Sequence, residues 1–203
     1  MKKNISGPIL LFLILILTIF IIIFFIKNDN KINNPGNNKS IDEIEQYILN
    51  IDSYKAKIDV TIISNKNENQ YKIEQEVTQS YAKMTVTSPE AISNMEIIYE
   101  NGILKIRNTE LNVNKVYNEY PNISKNIMFL TDLIKTYQES DNKKIEELDD
   151  AIYMKVKNEN NKYNQNQILR INKQTLQPES LEIQDINNKT KLYILYNEIE
   201  LNI

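Results

Sequence analysis

Tyr54, Ala56, Ile58, Val60 and Ile62 alternate with Lys55, Lys57, Asp59 and Thr61. A period of two puts all the apolar side chains on one face of an extended strand and the charged ones on the other. The same period returns in Tyr71, Ile73, Gln75 and Val77, set between Lys72, Glu74 and Glu76, and in Ala82, Met84 and Val86, set between Lys83, Thr85 and Thr87. Pro89 ends the third segment. Met95 to Glu100 and Ile103 to Arg107 flank Asn101-Gly102, the pair that suits a two-residue hairpin turn because both positions need positive φ. One wet face and one dry face, repeated along the chain, predict antiparallel hairpins whose common dry face must be covered.

Two helices are legible as candidates for that cover. Ser40-Ile41-Asp42-Glu43 fits a capping box, and Ile41, Ile44, Tyr47 or Ile48, and Ile51 then recur at helical spacing. From Asn126 to Glu139 the period changes again, with Ile127, Leu130, Leu133, Ile134 and Tyr137 in one stripe. The charged stretch Asp141 to Asp150 reads as a loop or a short turn of helix. Strands resume at Ala151 to Val156, Gln167 to Ile171, Leu181 to Ile183 and Lys191 to Leu201, with a polar turn over Asn158 to Asn166. The order is helix, about six strands, helix, about four strands. It predicts an α+β domain whose antiparallel sheet is too long to lie flat and curls around the helices.

Composition removes much chemistry. The chain of 203 residues has neither Cys nor His, which excludes disulfides, thiolate nucleophiles, His-based triads and His metal ligands. Gly102 is the single glycine of the expected domain, too few for a phosphate loop, and no cofactor is expected. A formal net charge of −3 is unlike a domain that neutralises phosphates, so no nucleic-acid partner is expected. Glu146, Glu147, Asp149 and Asp150 form an acidic cluster, but it lacks the alternating ligands and glycine of a calcium loop and reads as a solvated loop. Nothing pairs carboxylate, Tyr or Lys groups as an enzyme would need, and the expectation is a protein without catalytic activity.

Residues Ile5 to Ile26 carry no charge and, from Ile9, are nearly all Ile, Leu and Phe. About 20 such residues cross a bilayer core. No small-residue cleavage site follows, so 1–27 reads as an uncleaved transmembrane signal-anchor, with late cleavage as the alternative. Residues 28–39, polar and containing Pro35-Gly36, read as a flexible tether, and 40–203 as the domain. The tail before the span is short, which places that domain outside the cytoplasmic membrane, at the cell or forespore envelope.

The C-terminal stretch Ile168-Leu169-Arg170-Ile171-Asn172-Lys173-Gln174-Thr175-Leu176-Gln177-Pro178, followed by Leu181-Glu182-Ile183-Gln184-Asp185, resembles the strand, turn, T-L-x-P, strand, D signature of the LolA/LolB lipoprotein-carrier superfamily. Tyr54 to Thr61, Ser88-Pro89-Glu90, Ile97 to Gly102, and Phe129-Leu130 with Tyr137 narrow the likeness to the clostridial germination lipoprotein family, GerS and its relatives. The resemblance covers about residues 41 to 203, and its motifs are structural. It implies a half-barrel sheet around helices and binding without catalysis: a protein partner, in the germination members a cell-wall amidase, or acyl chains of lipid or lipoprotein on the concave face. Ile58, Val60, Ile73, Met84, Leu130 and Ile134 are the expected concave-face residues. The chain departs from the family in lacking a lipobox Cys, and the apolar run 5–26 would serve as anchor instead.

Overall fold

The computed structural model describes residues 35–36, 39–118, 128–158 and 164–202. The chain divides into the units Met1–Asn34 and Pro35–Ile203, and the described residues belong to the second. The expected membrane span, most of the expected tether and the expected helix start at 126–127 lie outside the described residues. Among the described residues no helix is long and apolar enough to cross a membrane.

Helix α1 (Ile41–Leu49) begins as its sequence dictates. The Glu43 backbone N–H donates to Ser40 Oγ at 3.3 Å, and the Ser40 N–H donates to Glu43 Oε2 at 2.8 Å, a reciprocal capping box. Its stripe buries Ile44 and Ile48 completely, which settles the choice between Tyr47 and Ile48. Six strands follow: β1 (Ser53–Ile63), β2 (Glu68–Val77), β3 (Tyr81–Ser88), β4 (Glu96–Glu100), β5 (Ile103–Asn108) and β6 (Val113–Tyr117). Asn101 and Gly102 turn β4 into β5 with φ of 51° and 78°, as the pair requires. Helix α2 (Leu130–Glu139) is followed by β7 (Lys143–Leu148), β8 (Ala151–Lys157), β9 (Asn166–Asn172), β10 (Pro178–Gln184) and β11 (Thr190–Asn202).

The strands form one sheet of eleven in the order β6-β5-β4-β3-β2-β1-β11-β10-β9-β8-β7, and every neighbouring pair is antiparallel. Two hairpin ladders thus grow outward from β1 and β11. The chain leaves the first ladder at one edge of the sheet and starts the second at the opposite edge, and α2 lies in that crossover. Strands stand about 4.8 Å apart, and a sheet of eleven is long enough to curl rather than lie flat. The sheet is open, with β6 and β7 at its two ends, and it is curved, as expected of a sheet of that length.

The dry face carries the core. Ile58, Val60, Ile73, Met84, Ile152, Met154, Leu169, Ile171, Leu181, Ile183 and Ile194 are each buried there, joined by Ile44 and Ile48 of α1 and Leu130, Leu133, Ile134 and Tyr137 of α2. One expectation needs correction. Residues 143–148 are neither loop nor helical turn but the edge strand β7, paired along its length with β8. Its charges obscured the period because, of its side chains, only Ile145 packs against the core.

Candidate partner-binding surface

The structure brings Ile58, Val60, Ile73, Met84, Leu130 and Ile134 together, all between 1% and 6% exposed except Leu130 at 0%. They are packed against each other and against both helices as part of the core. A buried polar relay fixes the helix layer above them. The Leu130 N–H donates to the Tyr54 hydroxyl at 3.1 Å, that hydroxyl donates to Gln75 Oε1 at 2.8 Å, and Gln75 Nε2 donates to the Met128 carbonyl at 3.0 Å. Phe129 offers no side-chain cap, so a tyrosine from β1 takes the capping role that Ser40 plays for α1. Burial pushes the Tyr54 hydroxyl pKa well up, and it stays a neutral donor. Sequence reading missed this cap because the partners are far apart in the chain.

The dry face does not end where the helices end. Register carries one inner row from Met84 through Ile97 and Ile106 to Lys115, and a second from Ala82 through Tyr99 and Leu104 to Tyr117. Along the second row burial falls steadily. Ala82 is 4% exposed, Tyr99 and Leu104 are half-buried, and Tyr117 is 49% exposed. The helices pack toward the other end, α1 against β7 and α2 against β8. The result is an apolar wing made of Ile97, Tyr99, Leu104, Ile106 and Tyr117 on β4, β5 and β6. Period-two alternation cannot tell that, among the described residues, no helix packs over them.

Three of the four residues of the acidic cluster make ion pairs. Glu146 pairs with Lys144 and Lys155, Glu147 with Lys173, and Asp150 approaches Arg170 at 3.8 Å. Bonds from Lys144 and Lys155 hold the Glu146 carboxyl down to a pKa of about 2. Asp149 sits in the β7–β8 turn with φ of 56°. Among the described residues no group of three or more acidic side chains could hold a metal ion. The turn singled out in the sequence is built as its residues suggest. Asn172 Oδ1 accepts from the backbone N–H groups of Gln174 and Thr175 at 2.9 and 3.0 Å. Leu176 follows with φ of 57° and is fully buried. Asp185 Oδ1 accepts from Asn187 and Lys189 at 2.8 and 3.0 Å to form the next turn.

The model of the YdcC-like sporulation protein family matches residues 9–203. The chain belongs to this family. No curated protein sequence matches it. Among solved structures, a chain of the complex between the CwlD amidase and the GerS lipoprotein from Clostridioides difficile is similar at a TM-score of 0.52 and 20% identity, over 79% of this chain and 93% of that one. An uncharacterised conserved protein from Thermus thermophilus is similar at 0.51 and 10% identity, over 81% and 88%. A LolA superfamily protein from Nitrosomonas europaea is similar at 0.40 and 11% identity, over 81% and 94%. For the first two of these, at 20% and 10% identity, the likeness concerns the fold alone.

Proposed function

We propose that this YdcC-like sporulation protein is a non-enzymatic envelope protein, held to the cytoplasmic membrane by residues 5–26, whose extracytoplasmic domain binds a protein partner. The observation that carries the proposal is the apolar wing. Ile97, Tyr99, Leu104, Ile106 and Tyr117 continue the core's inner face beyond the helix layer, and an apolar surface of this kind marks an interaction site. Tyr is well suited to such a surface, since it offers large apolar area with a polar tip. The similarity to a chain from the complex of an amidase with a lipoprotein supports a cell-wall amidase as the class of partner to try first. The test is co-purification of the full chain from sporulating cells. A stoichiometric envelope protein is expected with the native chain and not with Leu104→Asp. Its absence from both, or its retention by the variant, would overturn the assignment.

A second reading follows from the same wing, because its apolar side chains would also receive an acyl chain. Native mass spectrometry of the chain released from membranes separates the two. A bound lipid mass that disappears in Leu104→Asp supports carriage, and a ligand-free mass sinks it.

A further inference from the structure

The sheet's two edges are built differently. At one end, β7 carries Lys143, Lys144, Glu146 and Glu147, and Glu146 and Glu147 are tied to lysines of β7, β8 and the β9–β10 turn. Charges held in this way are the usual protection of an edge against a further strand. At the other end, β6 reads Val113-Asn114-Lys115-Val116-Tyr117, is paired among the described residues only with β5, and exposes Val116 and Tyr117 by 54% and 49%. Beyond the register with β5, its outer row of backbone N–H and C=O groups has no strand partner among the described residues. It contains neither Pro nor an acidic residue, and Lys115 is its single charged side chain.

The side chains at this edge select among occupants. β5 and β6 contain Lys105, Arg107 and Lys115 and no acidic residue, in a chain whose formal net charge is −3. Glu96, on β4, is already shared between Lys83 and Arg107, and Lys105 reaches Glu100 only at 3.7 Å. Lys115 has no ion pair among the described residues. On the inner face of β6, Lys115 stands next to Tyr117, beside the wing, while Val116 faces outward.

We infer that β6 is a strand-addition site that takes an extended peptide segment of a protein partner, with an acidic side chain opposite Lys115 and apolar side chains opposite Val116 and Tyr117. Main-chain pairing supplies affinity in this mode, and the alternating side chains supply choice. The peptide's inner apolar side chain would extend the row Tyr99, Leu104, Tyr117, so the site deepens the protein-binding function proposed above and rests on it.

The test uses the full chain in detergent micelles and a labelled, end-capped peptide, Val-Val-Glu-Thr-Ile, followed by fluorescence anisotropy. The amides of the peptide are N-methylated in two alternate sets. Strand addition expects one set to abolish binding and the other to be tolerated, because only every second amide faces the edge. Replacing the peptide's Glu by Lys is expected to weaken binding by about fivefold to tenfold, and Lys115→Glu in the protein to reverse that preference. No binding, equal effects of the two methylated sets, or indifference to Lys115→Glu would overturn the inference. So would a chain that self-associates in sedimentation and loses that association when Lys115→Glu is introduced, since a second copy would then own the edge. A partner that co-purifies with the chain but is displaced neither by the peptide nor by Lys115→Glu leaves the protein-binding function standing and removes the edge site. Peptide binding without any co-purified partner does the reverse.

Discussion

Tyr54 and Tyr196 are both buried in the core, 1% and 7% exposed, and their hydroxyls face opposite situations. That of Tyr54 joins Leu130 to Gln75. That of Tyr196 has no hydrogen-bond partner among the described residues. A buried polar group stripped of its partner costs about 1–3 kcal/mol. Tyr54→Phe strands both Leu130 N–H and Gln75 Oε1, so a loss of that size is expected in urea unfolding, with faster amide exchange in α2 than in β8 to β11. Tyr196→Phe removes a hydroxyl that gains nothing from burial, and is expected to be neutral or stabilising in the same assay. Gly36 is the other residue whose role is steric. Its N–H donates to the Gln174 carbonyl at 3.0 Å, and a Cβ there would stand 1.7 Å from the Lys173 carbonyl oxygen. Gly36→Ala is expected to undock residues 35–36 from the β9–β10 turn, read as lost protection of the Gly36 position's amide in hydrogen exchange. A stretch that composition marks as tether thus includes a docked residue, which only a neighbouring turn could reveal.

At the scale of the element, β7 and α2 show how local signals are overruled. β7 has the composition of a loop, yet its two carboxylates and the lysines of β7, β8 and the β9–β10 turn bind it to the sheet. Glu146 illustrates the pH consequence. Its folded pKa lies near 2, below the ordinary 4.5, so the charged form favours the folded state. That contribution is present in full above pH 4.5 and is lost as pH falls from there toward 2. Thermal midpoints are expected to drop across this window, and the drop is expected to be shallower in Glu146→Gln. If the two profiles are parallel, the lysine pairs do not stabilise the edge. For α2 the apolar stripe was legible, with Leu130, Leu133, Ile134 and Tyr137 all buried. Its N-terminal anchor was not, since that anchor is a hydroxyl from β1 and a side-chain amide from β2.

At the scale of the molecule, two apolar populations share one face of the sheet and differ in what covers them. Ile58 is 1% exposed beneath the helices, and Ile58→Ala is expected to cost about 2–5 kcal/mol in chemical unfolding, with partner retention unchanged in the surviving folded fraction. Leu104 is half-buried on the wing. Leu104→Asp is expected to leave the unfolding midpoint nearly unchanged while abolishing co-purification. Large destabilisation by the second variant would mean that the wing belongs to the core after all. The sequence marked Ile58 as a dry-face strand position and placed Leu104 only in a strand after the Asn101-Gly102 turn. It could not separate the covered part of the face from the uncovered part, because alternation reports which side of a strand is apolar and not what stands opposite.

The amino-acid sequence alone determined the alternation of the strands, the Asn101-Gly102 turn, the capped start of α1, the turns at Asn172 and Asp185, and the absence of thiol and imidazole chemistry. Each follows from neighbours within a few residues, where backbone geometry and side-chain hydrogen bonds act directly. The tertiary structure decided the strand order that sets β6 and β7 at opposite edges, the strand status of Lys143–Leu148, the capping of α2 by Tyr54, the seat of Gly36 and the uncovered wing. These depend on partners brought together by the crossover between the two hairpin ladders. Such pairings are fixed by the burial of a common face, a property of the assembled sheet that no window of sequence contains.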